Sequence, residues 1–74
     1  MWNLEVTDTF CGESNYSWVK RDTASGELTK RGVVKALKAL MGHTGRKAKV
    51  WDAGDMVEVR VPSRCLIGFA TWQD

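Results

Sequence analysis

Asp8 and Glu13 lie either side of Gly12, close enough in the chain for two carboxylates to act together as general acid and base. Asp52, Asp55 and Glu58 form a second acidic group, of the kind that holds a hard cation. Cys11 and Cys65 are the only cysteines and His43 the only histidine. Each set lacks the parts its chemistry requires. No nucleophile has an adjacent base, no histidine is placed to orient one, and no Gly-rich loop would cradle a phosphate. Cysteine and histidine together offer three scattered ligands, where a structural zinc site takes four. The acids read as turn-forming and solubilising groups. The expectation is a protein that is not an enzyme and carries neither metal nor cofactor. Its cysteines are expected as reduced, partly buried thiols, with a Cys11–Cys65 disulfide as the alternative if the first and last strands pair.

Binding chemistry is better represented, and in two places. The first is 6–19, which concentrates Phe10, Tyr16 and Trp18 around Gly12, Glu13 and Asn15. Tyr and Trp dominate protein–protein hot spots, so Glu13, Asn15, Tyr16 and Trp18 are the candidate partner-binding residues. The competing reading puts Trp18 in the core and Asn15 in a turn. The second place is the span from Lys30 to Lys49. It holds seven basic residues (Lys30, Arg31, Lys35, Lys38, Arg46, Lys47 and Lys49) and no acid, leaving four basic residues against nine acids elsewhere. The net charge of +2 hides this separation. Such a stretch suits a nucleic-acid backbone or an acidic protein surface, and Trp51 beside Lys47 and Lys49 adds the aromatic group that single strands stack on. On the plainer reading the helical lysines are only the wet side of an amphipathic helix. No sequence signature of a known nucleic-acid-binding module accompanies them.

The elements that must position these residues follow from periodicity. Trp2, Leu4 and Val6 alternate with Asn3, Glu5 and Thr7, which predicts a strand with one buried face. The same parity turns Asp8 inward, so either the strand leaves the core there or the following turn supplies hydrogen bonds to the carboxylate. A second strand is expected over Tyr16–Arg21, joined through Cys11–Asn15 and followed by a polar loop over Asp22–Gly26. Leu28–Gly42 predicts a helix with Thr29 as N-cap, an apolar stripe of Val33, Val34, Leu37, Leu40 and Met41, and Gly42 at the left-handed end. Ala48 and Val50 alternate with Lys47, Lys49 and Trp51 in a third strand, and Asp52–Asp55 turns into a fourth in which Val57, Val59 and Val61 alternate with Met56, Glu58 and Arg60, each strand with one apolar face. Pro62 stops it. Cys65–Trp72, apolar on both parities, predicts a central fifth strand.

The 74 residues thus make one small domain, 1–74, of the α+β class: a two-layer ββαβββ arrangement with one amphipathic helix on a mostly antiparallel sheet of four to five strands. Tyr16, Trp18, Trp51 and Trp72 cannot all fit beneath so short a helix, so some belong on the open face or at an edge. The 43% apolar content argues against disorder. No apolar run approaches the roughly 20 residues of a membrane span. With no secretory signal visible at Met1, a cytoplasmic setting is expected.

The block Asp8-Thr9-Phe10-Cys11-Gly12-Glu13-Ser14-Asn15-Tyr16-Ser17-Trp18-Val19 resembles one found in short, largely uncharacterised phage and prophage proteins. The likeness continues through Lys38-Ala39-Leu40, Gly42-His43-Thr44-Gly45 and Asp52-Ala53-Gly54-Asp55-Met56-Val57-Glu58, and so covers most of the chain. Cys11 stands where the block has Gly, Ser14 where it has Ala, and His43 where Trp is common. A Cβ at position 11 speaks against a left-handed backbone there. The resemblance implies origin in a mobile element and supplies no catalytic residues. The expected function is that of a phage-type accessory protein that binds and modulates a host macromolecular complex in the host cytoplasm, most concretely an inhibitor of a bacterial defence complex of the anti-CRISPR kind. The alternative is a small nucleic-acid-binding protein using the basic Lys30–Lys49 face.

Overall fold

In the computed structural model, which describes residues 1–42 and 47–73, five antiparallel strands form one sheet with a single helix packed across one of its faces. The elements are β1 (Trp2–Phe10), β2 (Glu13–Ala24), α1 (Lys30–Leu40), β3 (Lys49–Asp52), β4 (Met56–Val61) and β5 (Leu66–Trp72), with one 3-10 turn at Pro62–Arg64. The spatial order is β2-β1-β5-β4-β3, so the first and last strands pair and β5 is central. This is the two-layer α+β ββαβββ domain that the periodicities imply. No described helix is long and apolar enough to cross a membrane.

Alternation along each strand builds the core. Trp2, Leu4 and Val6 of β1, Val57, Val59 and Val61 of β4, and Leu66 and Ala70 of β5 all turn to the helix side. Val33, Leu37 and Met41 close over them. Thr29 caps the helix, its hydroxyl accepting from the Gly32 amide at 3.1 Å. Gly42, at φ 76°, ends it in the left-handed region. The helix approaches the sheet closely because Gly68 stands beneath it. A Cβ there would lie 2.8 Å from Met41 Cε and 3.2 Å from Leu37 Cδ2. At the margin, Trp72 meets Trp2 edge-on at 5.4 Å between ring centroids.

Several expectations about the elements change. The helix spans Lys30–Leu40 between its caps Thr29 and Met41 rather than Leu28–Gly42, and the last strand starts at Leu66, because Cys65 takes a left-handed backbone at φ 52° that ends the 3-10 turn. The second strand starts at Glu13 and runs to Ala24, so Asp22–Ala24 is strand rather than loop. Its register with β1 continues to Trp2↔Ala24, because the β1 partner is long and well anchored in the core. Val50 is half exposed despite pairing with the buried Val59, because β3 is the sheet edge. Cys11 does adopt a left-handed backbone, at φ 55°.

Candidate functional site

The β1–β2 hairpin is organised by its turn and by one bulge. Phe10 and Glu13 are the last pair, leaving Cys11 and Gly12 as a two-residue turn with φ of 55° and 83°. Positive φ at both positions is the geometry that follows the natural twist of two strands. Gly12 takes it freely and Cys11 takes it at some cost.

Between Thr7↔Val19 and Thr9↔Ser14, β1 advances two residues while β2 advances five. The surplus, centred on Tyr16, bulges from the ladder, and the Asp8 carboxylate holds it. Asn15 Nδ2 donates to Asp8 at 2.9 Å, the Ser17 amide at 3.0 Å and the Ser17 hydroxyl at 2.6 Å. These donors, the Ser17 hydroxyl foremost and Asn15 next, lower the Asp8 pKa from 3.8 to about 2. The inward parity of Asp8 is therefore answered by hydrogen bonds from the segment that follows. A carboxylate so acidic and so fully engaged makes a poor proton carrier near neutrality. Beside it, the buried Thr7 hydroxyl donates to the Trp18 carbonyl at 2.7 Å.

Tyr16 stands at φ 55°, uncommon for a bulky residue, with half of its surface exposed. Its hydroxyl donates to Glu5 Oε1 at 2.7 Å, and Glu5 also accepts from Arg21 Nε at 3.3 Å. The hydrogen bond to Glu5 raises the Tyr16 pKa above 10, since it favours the protonated phenol. Tyr16 thereby borders a shallow concavity of about 640 Å³ on the sheet face opposite the helix, lined also by Asn3, Arg21, Met56, Phe69 and Thr71.

The four candidate partner-binding residues do not form one patch. Glu13 lies at the hairpin turn, opposite Phe10. Asn15 is engaged by Asp8 inside the bulge. Tyr16 faces the concavity. Trp18 has Lys20 Nζ 6.0 Å from its ring centroid, and Lys20 pairs with the core residue Val6, which places this pair on the helix side of the edge strand.

The basic stretch is likewise divided. Lys30 is engaged: its ammonium bonds Asp52 at 3.1 Å and the Gly54 carbonyl, and lies 4.8 Å from the Trp2 ring centroid. The Lys30 contact and a bond from the Gly54 amide lower the Asp52 pKa, the amide being the larger cause. Arg31, Lys35 and Lys38 form a stripe on α1 away from its buried residues. Lys47 is exposed ahead of β3. Lys49 and Trp51 pair with Arg60 and Glu58, which alternate with buried valines, so they belong to the open face. The helical and strand cations are thus on opposite sides of the sheet. Arg46, and the His43–Gly45 part of the resemblance, lie outside the described residues.

Sequence reasoning missed Phe69, Met56, Glu5 and Arg21 as parts of a surface. Their signal was the polar parity of strands read only for their apolar parity. Among the described residues, no three His, Cys, Asp or Glu side chains cluster as a metal site would require. Asp52 turns to Lys30, while Glu58 accepts from Arg60 Nε at 3.0 Å. No family model, curated protein or solved structure matches this chain.

Proposed function

We propose that this chain is a non-enzymatic binding protein that docks on a host macromolecular complex through the open face of its sheet, with Tyr16 as the anchor, and modulates that complex. The observation that carries this reading is the conformation of Tyr16. A bulky residue in the left-handed region is a strained choice where Gly or Asn would rest easily, and such outliers concentrate at sites of function. Here the strain keeps an exposed aromatic ring over an apolar concavity, with its hydroxyl fixed by Glu5. A ring held in place before binding loses little entropy on docking. The resemblance of the Asp8–Val19 block adds the setting: a phage-type accessory protein acting in the host cytoplasm, most concretely as an inhibitor of a bacterial defence complex.

The test expresses the protein in bacteria with an active defence system and measures phage plaquing, alongside affinity capture from lysate with and without nuclease. Wild type is expected to restore plaquing and to retain a nuclease-resistant partner, whereas Tyr16→Ala loses both while remaining folded. Equal behaviour of the two proteins in both assays would sink the reading.

A second reading, single-strand nucleic-acid binding, is favoured by one observation: Lys49, Trp51 and Arg60 share the open face, with Trp51 60% exposed. Stacking on Trp51 is worth roughly 1–3 kcal/mol per base. Fluorescence titration with short oligonucleotides at 50 and 200 mM salt tests it, and Trp51→Ala is expected to weaken binding about tenfold or more. Absence of binding at the lower salt would rule it out.

A further inference from the structure

Cys11 and Cys65 lie 54 positions apart in the chain, yet both line one cavity of about 350 Å³ at the end of the sheet where β1 turns into β2 and the 3-10 turn leads into β5. Both thiols are free, and both are exposed rather than partly buried, because each lies in a turn outside the strands. Pairing of β1 with β5 brings them together. Their register ends at Asp8↔Leu66, and the Thr9 amide donates to the Cys65 carbonyl at 2.8 Å. Cys65 is therefore beside Thr9, two residues from Cys11. A disulfide accepts Cα separations up to roughly 6.8 Å. Neither cysteine belongs to a strand, Cys11 lying in the β1–β2 turn and Cys65 ending the 3-10 turn, so no residue pair of the sheet has to separate for the two to close to that range. Arg60 Nη1 donates to the Gly12 carbonyl at 2.6 Å, which holds the hairpin tip on the cavity side.

We propose that Cys11 and Cys65 are a reversible dithiol–disulfide pair that ties the hairpin tip to the β4–β5 connection, exchanging with an acidic low-molecular-weight disulfide drawn by Lys49 and Arg60, which line the same cavity. The thiolate of one cysteine attacks a sulfur of the small disulfide, forming a mixed disulfide and expelling one small thiolate. The second cysteine attacks the first cysteine's sulfur in that mixed disulfide and expels the other small thiolate. Two protein thiols are oxidised, the small disulfide is reduced, and the two protons released by the cysteines pass to the departing thiolates. The closed loop spans most of the chain, so the tie restricts the unfolded state strongly.

The experiment incubates the whole protein with oxidised and reduced glutathione in defined ratios and reads intact mass, then maps linked peptides. Wild type is expected to lose the mass of two hydrogens, to yield a peptide joining positions 11 and 65, and to melt about 10 °C or more higher when oxidised than when reduced. Cys11→Ser and Cys65→Ser are each expected to stop at the mixed disulfide, one glutathione heavier. The wild-type mass and mapping require no variant to fold. Wild type that remains a dithiol, stops at mixed disulfides, or links into dimers overturns the proposal.

Discussion

The covered and open faces of this sheet are made from alternate residues of the same strands, yet they are held in order by different physics. On the covered face Leu4, Val6, Val57 and Val59 meet Val33 and Leu37, and position is fixed by close packing with no directional bond. On the open face position is fixed by directional pairs: Tyr16 to Glu5, Arg21 to Glu5, and Arg60 to Glu58 and to the Gly12 carbonyl. Packing of buried apolar groups is costly to disturb and indifferent to pH. Exposed polar pairs are individually weak and respond to titration and screening. Most of the packing energy therefore resides on one side, and on the other an orderly polar surface surrounds a buried pair, Thr7 and Ile67.

The largest expected effect tests the covered side. Leu37 is fully buried at the centre of the helix contact, so Leu37→Ala is expected to cost about 2–5 kcal/mol, measured by urea denaturation. In so small a domain that can unfold the chain. An unchanged midpoint would mean that the helix does not hold the sheet. Next comes Gly68→Ala, where the new methyl would press on Met41 Cε and Leu37 Cδ2. Overpacking of this kind costs about 1–3 kcal/mol, and the flexible Met41 side chain brings the expectation toward the lower end. Met41→Ala in the same chain should then recover part of the loss from Gly68→Ala, which a double-mutant cycle would register as coupling.

The contrast between the two sides also explains what was legible in the sequence. The covered face announces itself, because burial demands a period: two along β1 and β4, three to four along α1. Thr29, Gly42 and Pro62 punctuate those elements by local chemistry, and each falls where expected. The bulge has no such period. Asp8 signalled that something was unusual, but nothing in Glu13–Ser17 revealed that β2 would resume its register after three surplus residues, because that depends on β1 as a partner. The basic stretch misled for a related reason. Contiguity in sequence suggested contiguity in space, whereas α1 and β3 present their cations on opposite sides of the sheet. The open concavity was illegible because Asn3, Arg21, Phe69 and Thr71 come from three strands whose order the sequence does not state.

A smaller effect distinguishes the bulge from both faces by its pH dependence. The Asp8 pKa is about 2 in the folded chain, against 3.8 ordinarily, so folding favours the ionised form. Its contribution is present above pH 3.8 and is lost as pH falls through that value toward 2. Asp8→Asn cannot satisfy the same three donors. Its melting temperature should fall below that of wild type at pH 7, and the gap should narrow as pH drops from 4 toward 2. Thermal melts by circular dichroism at each pH provide the check. A gap that stays constant across the range would show that Asp8 shapes the bulge without relying on its charge.

The smallest expected effect on stability is also the most informative about the open face. Tyr16→Gly removes a left-handed non-glycine residue, a relief of about 1–2 kcal/mol. It also removes the hydroxyl bond to Glu5, worth about 0.5–1.5 kcal/mol at most in so exposed a position. Glycine further enlarges the freedom of the unfolded chain, costing about 0.5–1 kcal/mol. These effects oppose one another, so the melting temperature should move by only a few degrees in either direction. Binding should respond quite differently, because the ring that borders the concavity is gone. Tyr16→Phe completes the comparison: it keeps the ring and the strain but frees Glu5, so it should retain most binding while losing slightly more stability than Tyr16→Gly. At high pH the wild-type protein should approach Tyr16→Phe. The phenol pKa is raised above 10 in the folded state, so its contribution is intact below pH 10 and fades as pH rises through the folded value. If instead Tyr16→Gly unfolds the protein, the bulge is part of the structural frame, and the division between a packed side and a presented side fails at its most exposed residue.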